Sequence, residues 1–168
     1  MTKTNPINTR RQFLSYGALA AASASTPLQH VAATSPPAKL NVAAVVSTYF
    51  RNSHADVIVG KILEGWRQTG GDGPALKVAS IYVDQISDGD ISKSMAQKYD
   101  VPMFDNIADT LTLGTDEVQV DGVLCIGEHG DYPIVQETGQ VMYPRRRFFD
   151  EVTATLEQHH TRVPIFND

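Results

Sequence analysis

Glu128-His129-Gly130-Asp131 stands directly after Gly127, at the end of the apolar run Val123 to Ile126. A carboxylate beside an imidazole can act as a general base with an orienting acid, contact a ligand, or share a metal ion with another histidine. The bland alternative is a polar loop beyond a strand. His54 follows Ser53 at a predicted helix start, where the positive dipole end keeps an imidazole neutral. It could be a ligand, a hydrogen-bond acceptor or a packed residue. Asp84 closes the run Lys77 to Val83; it could accept from a ribose diol or cap a helix. Ser47, Thr48 and Arg51 lie in the turn Ser47 to Ser53 and could hold an anion together with free backbone amides.

Other candidates are weaker. Two histidines and two carboxylates on one rim would suit zinc, but no H-x-x-x-H or C-x-x-C spacing supports a metal centre. A metal-dependent hydrolase on His54, His129 and Asp131 is therefore the third reading. Arg145-Arg146-Arg147 opens a helix against its dipole, so it meets a bound anion or forms a solvated basic patch. His159-His160 suits a helix carboxyl end, and Cys125, alone in mid-strand, reads as a buried structural thiol.

These residues need elements to carry them. Leu40 to Val46, Lys77 to Val83, Val101 to Phe104, Val120 to Ile126 and Val163 to Phe166 read as five strands. Ser53 with Asp56 suggests a capped helix with Ala55, Ile58, Val59, Ile62, Leu63 and Trp66 on its apolar stripe. Asp88 or Asp90 would cap a second helix carrying Ile91, Met95, Ala96 and Tyr99. Asp105 would cap a brief third with Ile107, Ala108 and Leu111 inward. A fourth begins at Pro144 and buries Phe148, Phe149, Val152 and Leu156. Ile134-Val135 and Val141 to Tyr143 flank a small hairpin or flap.

Strand and helix in alternation predict an α/β fold: a three-layer, Rossmann-like domain on a mostly parallel, doubly wound sheet of about five strands. With strand order 3-2-1-4-5, the first and fourth strands are neighbours at the switch point. Ser47, His54, Glu128, His129 and Asp131 then share one rim. Asp84 lies one strand away and Asp168 on the other side.

A chain of 168 residues with one cysteine accommodates one real core and no disulfide framework. The formal charge is -5, and residues 1 to 24 hold three basic residues and no acid, so the remainder is more acidic still. No basic stripe exists for nucleic acid. No apolar stretch is long enough for stable membrane insertion. Thr9-Arg10-Arg11-Gln12-Phe13-Leu14, an alanine-rich run and the small-residue sites Ala22-Ser23-Ala24 and Val31-Ala32-Ala33 look like a twin-arginine signal. Residues 1 to 38 are thus expected to be signal and linker, and 39 to 168 the domain. The twin-arginine machinery would be its export partner and the periplasm or another extracytoplasmic space its address.

Lys39 to Asp168 resembles the nucleotide-binding half of the Gfo/Idh/MocA oxidoreductases. The similar segments are Val78 to Asp84, Met95 to Pro102 ("A-x-x-Y-G-V-P"), Phe104 to Leu111 and Asp121-Gly122-Val123, with His129 where the family often places a histidine. The resemblance implies NAD or NADP as cofactor, contacted by Ser47, Thr48, Arg51, His54, Asp84, Glu128, His129 and Asp131. It also implies that hydride transfer needs a Glu-Lys-Pro motif and a second domain beyond Asp168. A fragment or degenerate form, not catalytic alone, is the expectation.

One departure bears on the cofactor. The first turn reads Ser47-Thr48-Tyr49-Phe50-Arg51-Asn52-Ser53, without the glycines that let a backbone approach a pyrophosphate. That favours a second reading, an exported non-catalytic module for a sugar or other small polar ligand, on which Tyr49, Phe50 and Tyr132 could stack.

Overall fold

The computed structural model describes residues 38 to 168. The twin-arginine segment and both candidate cleavage sites lie outside the described residues. In chain order the elements are β1 (Leu40–Val46), α1 (His54–Glu64), β2 (Leu76–Val83), α2 (Ser92–Tyr99), α3 (Ile107–Thr112), β3 (Gly122–Ile126), α4 (Arg145–Gln158) and β4 (Ile165–Asn167). The strands form one parallel sheet in the order β2-β1-β3-β4. The chain winds outward from β1 to β2, then returns to the other side of β1, so the switch point lies between β1 and β3.

Side chains alternate across a strand, and β1 divides its residues between two cores accordingly. Val42, Ala44 and Val46 face α1 and α2, packing with Val59, Ile62, Met95, Ala96 and Ile126. Ala43 and Val45 face α3 and α4, with Ile107, Leu111, Cys125, Phe148, Val152 and Leu156. Each such large apolar side chain contributes about 1.5–3 kcal/mol by leaving water. Burial also pushes the Cys125 thiol up to about 12, which suits a structural residue. Among the described residues no helix is long and apolar enough to cross a membrane.

Among the described residues the sheet has four strands, not five. Val101 to Phe104 meets β2 at a single bridge, Ile81 to Met103. Ile81 N–H donates to Pro102 at 3.0 Å and Phe104 N–H to Ile81 at 3.0 Å. Pro102 has no N–H of its own, and no longer ladder grows beside it. This segment still lies outside β2, where the third strand was expected.

Several side chains depart from their predicted faces. Trp66 is 59% exposed because α1 stops at Glu64 and Gly65 turns the chain with a φ of 82°. A Cβ at Gly65 would meet the carbonyls of Gly71 and Asp72 at 2.9 Å, so that exit requires glycine. Phe149 and Ala108 are exposed, and Thr110 takes the inward place on α3. Asn106, not Asp105, caps α3, accepting from Asp109 N–H at 2.7 Å. The expected hairpin is a single bridge between Ile134 and Val141.

Candidate functional site

At the carboxyl ends of the strands, β1 runs into the turn Ser47 to Ser53 and β3 into Gly127 to Asp131. Ser47 N–H donates to Ile126 at 3.0 Å, and the Ser47 hydroxyl donates to the Glu128 carbonyl. The two exits are thereby tied together. β4 supplies the third wall: Asp168 N–H donates to Cys125 at 2.9 Å, extending the ladder and carrying the Asp168 carboxylate to the rim.

His54 opens α1 with its side chain about half exposed, so it is not a packed residue. Its Nδ1 lies 2.7 Å from Asp168 Oδ2. The His129 ring packs edge-on against both His54 and Phe50, with centroids 5.2 Å apart in each pair. His129 holds a left-handed backbone, φ 66°, and its Nδ1 is buried without a hydrogen-bond partner. Polar atoms in that position cost stability unless something meets them. Ligand atoms of His54, Glu128 and Asp168 lie within 4.8 Å of one another.

Of the helix-opening arginines, Arg146 is solvated and pairs with Asp150 at 3.4 Å, while Arg145 and Arg147 turn to acids of the rim. Arg145 pairs with Glu128, and its Nε donates to the Asp168 carbonyl at 3.0 Å. Arg147 pairs with Asp84 at 2.6 Å and with Glu151 at 3.2 Å. Positions two apart on a helix point to opposite sides, so α4 reaches both acids from one turn. The charge that an arginine-rich amino terminus requires is supplied by the protein itself. Gly127 permits this approach: a Cβ there would meet the backbone N and Cα of Arg145 at 3.1 and 3.2 Å.

Asp84 is enclosed. Tyr82 Oη donates to its Oδ1 at 2.6 Å and Tyr132 Oη to its Oδ2 at 2.8 Å, beside the Arg147 pair. Burial pushes its carboxyl up, but the hydrogen bonds from Tyr82, Arg147 and Tyr132 outweigh that and hold it below its ordinary value. The tyrosine phenols move the other way, raised first by burial and then by the same carboxylate.

The first turn is occupied from within. Ser53 caps α1, accepting from Asp56 N–H at 3.2 Å and Phe50 N–H at 3.3 Å. The Asp56 carboxylate, in a residue only 4% exposed, accepts from Asn52 N–H at 2.8 Å and from Arg51 at 3.2 Å. Arg51 lies along α1 toward Glu64 and away from the rim. Thr48 and Tyr49 are buried in the core side of the turn, so Tyr49 offers no ring to a ligand. Tyr49 C=O accepts from Ile91 N–H at 2.8 Å, and Phe50 bridges Asp90.

Of the residues expected at the site, Ser47, His54, Glu128 and His129 come together. Asp131 does not join their side chains: its backbone is held at both ends by Gln85, at 2.8 and 3.0 Å, and the residue is exposed. Thr48 and Arg51 face elsewhere. Sequence reasoning missed Tyr82 and the acids that Arg145 and Arg147 pair with, and it placed Asp168 beside the rim without its contact to His54. The signal was topological: a helix after β3 must begin beside that strand's exit, which places its first arginines over the rim acids. Comparison of the chain with protein-family models, with curated proteins and with solved structures gave no match.

Proposed function

We propose that this is an exported, Rossmann-like domain akin to the nucleotide-binding half of Gfo/Idh/MocA oxidoreductases, degenerate at its dinucleotide turn. Its rim at the β1/β3 switch point binds a small polar, hydroxyl-rich ligand such as a sugar, without hydride transfer by this chain alone. The observation that carries the reading is the Asp56 carboxylate at the amino terminus of α1. It takes the amide and the dipole that a pyrophosphate would use, and it would repel one. Asp84, the ribose acceptor of the resemblance, already has three donors.

The exposed half of the rim is different. His54, Glu128 and Asp168 offer donors and acceptors at the place where open α/β sheets take ligands. Half-buried Phe50 lines the same edge through its contact with His129. Export follows from the resemblance of residues 9 to 14 to twin-arginine signals.

Calorimetry and thermal shift of the purified chain test the reading. Millimolar NAD(H) or NADP(H) is expected to give neither heat nor a shift. Neutral sugars, polyols and sugar acids at the same concentration are expected to include at least one that stabilises the wild type and not His54→Ala. Saturable dinucleotide binding would restore the cofactor reading instead.

A further inference from the structure

We propose that His54, Glu128 and Asp168 form a site for a divalent first-row metal ion, zinc or manganese, with solvent completing its coordination. The site shares its three side chains with the proposed ligand rim, and titration with the metal alone, without any sugar, separates its failure from a failure of that reading. One imidazole and two carboxylates converge here from three separate elements: the start of α1, the exit of β3 and the exit of β4. That is a mixed nitrogen and oxygen donor set, suited to borderline cations more than to calcium or magnesium. Ligand atoms within 4.8 Å of one another need only small side-chain rotations to surround an ion at bond lengths of about 2.0–2.2 Å.

A second observation comes from His129. Its ring touches His54 at 5.2 Å between centroids, while its Nδ1 is buried without a partner. Histidines that bind metals are oriented by what their other nitrogen and neighbouring rings contact, and His129 fixes the His54 ring from one side.

Arg145 is the competitor. Its guanidinium holds Glu128 and the Asp168 carbonyl, so a cation already stands where the metal's charge would be felt. Binding therefore requires Glu128 to exchange Arg145 for the ion. Arg145 has side-chain exposure of 43%, enough to swing into solvent. Removing Arg145 should strengthen metal binding, a response that a purely structural ion-pair cluster would not give.

The test is calorimetric titration of the purified, metal-stripped chain with zinc chloride and with manganese chloride alone. One ion per chain is expected, with affinity at least tenfold weaker in His54→Ala and in Asp168→Asn. The double variant His159→Ala/His160→Ala, on the far end of α4, should bind as the wild type does. Arg145→Met should bind severalfold more tightly. Far-UV circular dichroism of each variant verifies the fold, and His54 is exposed enough for its loss to be tolerated. No saturable heat, binding that survives His54→Ala and Asp168→Asn, loss only in the His159/His160 variant, or no tightening in Arg145→Met would each overturn the proposal.

Discussion

Two carboxylates at the same sheet edge, Asp84 and Asp168, have opposite surroundings. Asp84 ends β2 under Tyr82, Tyr132 and Arg147, with each oxygen occupied by a phenol and a guanidinium alongside. Asp168 follows β4 with one imidazole at 2.7 Å and its own carbonyl held by Arg145. The first is a closed network whose low carboxyl pKa reflects donors that outweigh burial. The second pairs with His54, whose ring packs against His129, a residue with a left-handed backbone and an unpaired buried nitrogen. Unmet polar atoms and backbone strain gather at ligand sites more than at structural ones. The difference separates a closed, fully paired carboxylate from an open one, although Thr48 Oγ1 and Tyr49 Oη in the first turn are also buried without partners.

The largest expected effect lies on the closed half. Asp84→Ala leaves Arg147 and two phenols without their acceptor and should cost about 2–3 kcal/mol in urea denaturation. An unchanged midpoint would remove the distinction between the halves. Ser53→Ala, which deletes the cap of α1, should cost about 1 kcal/mol in the same assay and leave sugar binding intact. Losing binding with the cap would mean that the first turn takes part after all.

Acid stability sharpens the same contrast. Burial raises the Glu64 carboxyl, but Lys98, Arg51 and Tyr99 hold it below its ordinary value, as the donors do for Asp84. The stability these two groups supply is complete above about pH 4.5 and is lost as pH falls through their lower folded values. Thermal melts between pH 5 and 2 should show that loss, and Asp84→Asn should flatten part of it. A wild-type curve already flat in this range would contradict the closed network.

On the open half the effects on folding are small. His129→Gly relieves a left-handed backbone and should leave stability equal or raise it by up to about 1 kcal/mol, while weakening ligand binding. His54→Ala removes an exposed pair and should change stability by less than about 0.5 kcal/mol. A large loss of stability from His54→Ala would make that half structural too.

The fold was legible because its signals are periodic and local. Valine-rich runs and the Ser53 cap each act over a few residues, whereas the early helix exit at Gly65 went unread and moved Trp66 off its expected face. The third strand was not, because Val101 to Phe104 carries a strand's composition while Pro102 limits its ladder. The site was legible only where topology alone placed a residue, as with Ser47, His54, Glu128 and His129. Side-chain direction decided the rest. Arg51 turned to Asp56 and Glu64, Tyr49 turned into the core, and Asp131 was held by Gln85 through its backbone. Arg145 and Arg147 pair across distances that no local pattern records.

The account's central claim is that ligands meet the open half of the rim and not the first turn. Backbone amide chemical-shift mapping of the isotope-labelled chain tests it most directly. A stabilising sugar or polyol should move the amides of His54, Glu128, His129 and Asp168 and leave those of Asn52, Ser53 and Asp56 in place. Saturable movement of the Asn52, Ser53 and Asp56 amides on adding NAD(H), with the open half unmoved, would contradict it.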